Sequence, residues 1–240
     1  MIYFTKGVYI VEMKQFWIDF VEGRITVPEM VTRTEAEPAL LEWLTSIADP
    51  KFKTYVTQIE KDEDGYKTYT PICHPFDAKL QIEVYVHKGQ GSGSKLGRYL
   101  NIHGYFSRVL TTAFPDDKII VDQMLHEKHL FMLDACPEYI GGPEVDHLLD
   151  ELLETLPENL SKTKRVKLYR EKLKELFPMR DKKYPRWVQD AEWPASASGK
   201  PMRFVEQKKA KGKIYAETML THYIFEDVDT GEQRVIDQFT

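Results

Sequence analysis

The stretch "KRVKLYREKLKELFPMRDKKYPRW", Lys164 to Trp187, holds the change of pattern that decides the fold class. Up to Phe177, the apolar residues Val166, Leu168, Tyr169, Leu173, Leu176 and Phe177 recur among charges at the spacing of an amphipathic helix. Pro178 ends that period, because proline supplies no N–H and disfavours helix in the residue before it. Beyond it, "MRFVEQ" (202–207) and "AETMLTHYIFEDVDTGEQRVIDQF" (216–239) read as strands, the last two joined by a turn at Asp229-Thr230-Gly231. In the penultimate strand Met219, Tyr223 and Phe225 point one way and Leu220, His222 and Ile224 the other, so both faces read as buried. A hinge is therefore expected near 178–186, dividing a main domain, 1–177, from a β-rich C-terminal segment, 178–240, packed on it.

Working back toward the N-terminus, a Gly-Gly-Pro break at 141–143 precedes two amphipathic helices, about 143–156 and 160–177. "MLHEKHLFMLDAC" is a further helix, closed by Pro137. "LGRYLNIHGYFSRVLTTAF" places Leu96, Tyr99, Leu100, His103, Phe106, Val109 and Leu110 at helical spacing. "KIIVD" reads as a short strand. "AKLQIEVYVHK" alternates Leu80, Ile82, Val84 and Val86 against polar neighbours and reads as a half-buried strand. Two β-prone runs flank Asp64-Gly65, a strong hairpin signal. Residues 2–11 read as β-rich; a helix follows from Lys14, and Pro28 and Pro38 open two short helices. The class is α+β, with helical N-terminal and central layers, an antiparallel sheet and a C-terminal hairpin within it.

Composition narrows the function. A 240-residue chain with 42% hydrophobic and 12% aromatic content has the apolar area to fold, which excludes a disordered chain. No apolar run approaches a membrane span, and the opening lacks the apolar stretch and cleavage site of a secretory signal. Two cysteines outside any CxxC argue against a disulfide framework or structural zinc. A cytoplasmic location is expected. Net charge is −5, and residues 1–154 hold 15 Lys/Arg against 25 Asp/Glu while 155–240 hold 18 against 13. That acidity disfavours a nucleic-acid binder and suits a basic protein partner.

The chemical motifs are weak. In "HEKH", His126 and His129 are three apart, whereas a zinc-protease helix needs two histidines four apart flanking its glutamate. No metal ligand set and no cofactor is expected. Cys73-His74 and Cys136 lack a converging base and orienting group. "KGQGSGSKLG" has GxGxxxG spacing, usable as a phosphate cradle only within a strand-to-helix turn. The basic run from Lys162 to Lys174 reads as a solvated helix face. The acidic helix before it, with Glu144, Asp146, Asp150, Glu151 and Glu154, either pairs with that basic helix or offers a docking surface to a basic partner. The hairpin tip Asp62-Glu63-Asp64 is the second candidate contact.

Two segments, "FWIDFVEGRI" and the tract "YPRWVQDAEWPASASGKPMRFVEQ" with its ending "YIFEDVDTGEQRVIDQF", resemble bacterial immunity proteins encoded beside polymorphic or contact-dependent toxins. The resemblance covers about a third of the chain. It implies a non-enzymatic binder that occludes the active site or an exosite of a cognate toxin, expected to be a basic nuclease domain, and it transfers no contact residue. Two other classes stay open. One is an enzyme assembled from His103, His126, His129, Glu138 and His222; the other is a scaffold or oligomerisation domain using exposed Trp187 or Trp193.

Overall fold

The computed structural model describes residues 3–61, 67–89, 94–210 and 220–239. They form an α+β fold in two compact units, Met1–His129 and Leu130–Thr240.

The first unit opens with α1 (Tyr3–Val21), a helix where the sequence suggests a β-rich start. Helix is costly to nucleate and easy to extend, so the strongly anchored half of α1, with Met13, Trp17, Phe20 and Val21 buried, carries the β-prone residues before it. α2 (Val27–Ala36) begins in a capping box: the Glu29 carboxylate accepts the Thr26 N–H at 2.8 Å while the Thr26 hydroxyl accepts from the Glu29 N–H. Pro28 lies in its first turn, and Pro38 immediately precedes α3 (Ala39–Ile47). β1 (Lys53–Lys61) and β2 (Lys67–Pro75) pair antiparallel, as the hairpin signal predicts. α5 (Lys95–Ala113), capped by Ser94, then buries Ile102, His103, Phe106, Val109 and Leu110. Its Phe106 meets Trp17 edge to face with ring centroids 5.3 Å apart, and the Trp17 indole N–H donates to the Leu40 carbonyl at 3.1 Å.

Two further strand readings are corrected in this unit. Residues 78–87 are not a strand but α4 (Ala78–Ile82) continued by a π-helical turn, Glu83–His87. Asp77 caps α4 by accepting the Leu80 N–H at 3.0 Å. The alternation misleads because a polar residue sits in the core: Gln81 is fully buried, its amide donating to the Thr54 hydroxyl at 3.2 Å. "KIIVD" is an extended segment with no strand partner among the described residues. It is held instead by the Ile120 N–H on Glu22 at 3.1 Å and the Asp122 N–H on the Val21 carbonyl at 2.9 Å.

α6 (Met124–Ala135) runs through the division into the second unit, where α7 (Asp146–Glu154) and α8 (Lys162–Leu176) follow. The Tyr169 hydroxyl donates to the Leu149 carbonyl at 3.2 Å and joins α8 to α7. β3 (Arg203–Lys209), β4 (Leu220–Glu226) and β5 (Gln233–Phe239) form an antiparallel sheet with β4 central. The β4–β5 turn closes with Gly231 at φ +76°. Thr221, Tyr223 and Phe225 are buried while Leu220, His222 and Ile224 are only half-buried, so β4 has one fully enclosed face rather than two. Met219 lies outside the described residues. The tract 178–186 belongs to this unit and is stitched to the sheet, with the Phe204 N–H on the Pro178 carbonyl at 3.0 Å and the Tyr223 hydroxyl on the Arg186 carbonyl at 2.8 Å. Gly142 has φ +130°, and a Cβ there would stand 2.9 Å from the Trp193 nitrogen, so only glycine lets the two backbones approach.

Candidate functional site

The least enclosed element of the first unit is the β1–β2 ribbon. Every residue from Thr68 to Pro75 is exposed. In register, Tyr55 lies opposite Cys73 and Ile59 opposite Tyr69, so these four share one face. Tyr55, Ile59 and Tyr69 are 49%, 51% and 59% exposed. An isolated two-stranded hairpin is marginal in water, and large apolar side chains on an open face cost rather than add stability. The root of the ribbon supplies its anchorage: Thr54 is buried, and its hydroxyl accepts from the Asp77 N–H at 3.1 Å as well as from Gln81. No third strand pairs with either edge among the described residues. The β2 edge is broken by Pro71, opposite Thr57, and Pro75, opposite Lys53, which supply no N–H. The predicted contact residues Asp62, Glu63 and Asp64 belong to the tip, which lies outside the described residues.

The acidic helix is partly engaged within its own unit. Glu144 accepts both terminal nitrogens of Arg234, one at 2.8 Å, together with the Ala195 N–H at 3.0 Å. The guanidinium holds this carboxyl below its ordinary range. Asp146 accepts the Gly142 N–H at 2.9 Å and so fixes the turn before α7. Asp150 is half-buried, whereas Glu151 and Glu154 are exposed. Two basic residues of α8 bind α6: Lys162 pairs with Asp134, and Arg170 donates at 3.0 Å to the carbonyls of Asp134 and Ala135, the helix end that attracts cations. By compact unit, 15 Lys/Arg stand against 18 Asp/Glu in the first and 18 against 20 in the second. The charge dipole along the sequence is therefore nearly erased by folding, since the acidic and basic helices share a unit.

The candidate histidines do not gather with other ligands among the described residues. His103 is buried with Nε2 3.1 Å from the Val21 carbonyl, and burial lowers its pKa. His126 and His129 lie on α6, exposed and half-buried; Glu138 is exposed; His222 Nδ1 is 2.7 Å from Asp237. Among the described residues no three His, Cys, Asp or Glu side chains gather as a metal site. Burial pushes the Cys136 thiol up to about 12, leaving no thiolate for nucleophilic attack near neutrality. Residues 90–93 of the glycine-rich stretch lie outside the described residues, and the element before it is helical. The strand that a phosphate cradle requires before its turn is thus replaced by a helix.

The Trp-Pro tract is a packing device. Trp193 is 1% exposed, donates from its indole to the Met202 carbonyl at 2.8 Å, and packs on Phe177 and Phe225 with centroids 5.2 and 5.3 Å away. Trp187 is half-buried, 4.4 Å from the Tyr223 ring, with its indole on the Tyr139 carbonyl at 3.0 Å. Neither indole is the exposed anchor that the scaffold reading needs. Gln207 accepts the Arg186 N–H at 2.7 Å, so the polar end of the tract is structural too. Sequence reading also missed Gln238, which is 1% exposed, accepts from Val188 and Gln189 and donates to Asp190. Its place in the strand pattern gives no sign of that burial. No described helix is long and apolar enough to cross a membrane. No family model, curated protein or solved structure matches the chain.

Proposed function

We propose that this chain is an immunity-type inhibitor, which binds a cognate, positively charged toxin domain of the nuclease class and covers its active site or an adjoining exosite. The observation that carries the reading is the ribbon, whose Tyr55, Ile59 and Tyr69 face water from a hairpin anchored at its root through Thr54. Aromatic and aliphatic side chains on a preformed element are the usual anchors of a protein interface. The acidic tip sequence and the exposed Glu151 and Glu154 favour a basic partner and speed its approach. The resemblance of the Trp-Pro tract to immunity proteins adds the class of that partner.

The test pairs the full chain with the C-terminal toxin domain encoded beside its gene. One-to-one binding that weakens with salt is expected. The triple variant Tyr55→Ser, Ile59→Ser, Tyr69→Ser should weaken it by at least about a hundredfold, in keeping with the loss of central anchors, with helical circular dichroism unchanged. Toxin killing of cells that express the parent protein, or full protection by the triple variant, overturns the reading.

A further inference from the structure

A groove of about 620 Å³ opens in the first unit between the end of α2, the face of α3 and the α4 segment with its π-helical turn. That volume is in the range of small-molecule sites. Pro38, Leu41 and Ile82 supply aliphatic wall, and four carboxylates, Glu35, Glu42, Asp77 and Glu83, line it against the cation Lys79 and the His87 imidazole. Glu35 reaches His87 at 3.6 Å and Glu83 reaches Lys88 at 3.5 Å; Asp77 is spent on its cap; Glu42 has no partner among the described residues. The groove thus keeps an excess of negative charge beside apolar surface.

Its wall includes the one π-helical turn among the described residues, Glu83–His87. Such turns are rare and are found frequently at functional sites. Here the turn lies where it contributes both Glu83 and His87 to the lining.

The separation of the carboxylates selects the ligand. No three metal-binding side chains converge among the described residues, so a single compact ion would meet too few oxygens at once. Acidic groups spread around aliphatic wall complement positive centres joined by a hydrocarbon chain. We infer that this groove is a binding site for an aliphatic di- or polyamine, with ammonium groups on the carboxylates and methylenes against Pro38, Leu41 and Ile82. The inference stands apart from the toxin-binding reading, because the groove and the ribbon face present different residues.

Calorimetry on the full chain tests it with spermidine, a series of linear diamines from two to eight carbons, magnesium chloride at matched ionic strength, and a lysine-rich peptide. One-to-one binding of spermidine is expected, with diamine affinity rising by up to about fourfold for each methylene that becomes buried. Glu42→Gln with Glu83→Gln should weaken spermidine at least tenfold with little change in melting temperature, because Glu42 is exposed and the Glu83–Lys88 pair is open to solvent. Equal competition by magnesium, affinity independent of chain length, or unchanged binding by the double variant overturns the assignment. Binding of the peptide alone overturns it too, in favour of a protein-docking groove.

Discussion

The two units use the same residue types in opposite ways. In the second, Trp187, Trp193, Tyr223 and Phe225 are packed against one another, and Gln207, Gln238, Glu144 and Arg234 are turned to holding backbone or each other. In the first, Trp17, Phe20 and Phe106 close a similar aromatic core, yet Tyr55, Ile59 and Tyr69 are left in water. Aromatic content alone thus says little about function. What separates core from contact surface is whether a side chain is enclosed within its own unit, and Tyr55, Ile59 and Tyr69 are not.

The largest effect expected from this contrast is at Trp193. Trp193→Ala should cost roughly 3–5 kcal/mol by removing a buried indole and leaving a cavity. Hydrogen exchange should then show β3, β4 and β5 losing protection while α1 and α5 keep theirs; simultaneous loss in both would mean that the units unfold as one, and the contrast would fall. Next comes Glu144→Gln, which leaves Arg234 without its charge partner. The pair is part-exposed, so about 1 kcal/mol is expected in a denaturant midpoint. Because the folded-state pKa of Glu144 is lowered, its contribution is present above the ordinary carboxylate range and is lost as pH falls through the lowered value.

A gentler effect is a slope with pH in the first unit. Burial lowers the pKa of His103, so the unfolded chain takes up that proton first and stability declines as pH drops through the ordinary histidine range near ~6.5. In a pH series of melts, His103→Gln should flatten that decline; an unchanged slope would assign it elsewhere. Smallest of all, Ile59→Ser with Tyr69→Ser should alter stability by no more than about 0.5 kcal/mol, as for exposed positions without structural partners. A loss of several kcal/mol would show the ribbon face to be packed, and would erase the difference between the units.

The helices α2, α3 and α5 to α8 and the three C-terminal strands are legible because prolines and periodicity agree there, as Pro28 in the first turn of α2 and Pro137 after α6 illustrate. Legibility fails where a local pattern is outvoted by packing. Buried Gln81 hides the helical face of 78–87, and with it Glu83 and His87, which a helical reading would have placed beside Lys79 and Ile82 on one side. A carboxylate's availability is equally invisible in sequence. Glu144 reads as one acid among five on a surface helix, and its partner Arg234 is 90 residues away.

Pro71 and Pro75 give the ribbon a direction. A hairpin with unsatisfied edges and apolar faces is a template on which further chains can stack, each added strand exposing a fresh edge for the next. Pro71 and Pro75 lack the N–H that an incoming strand would need, so growth through the β2 edge is disfavoured.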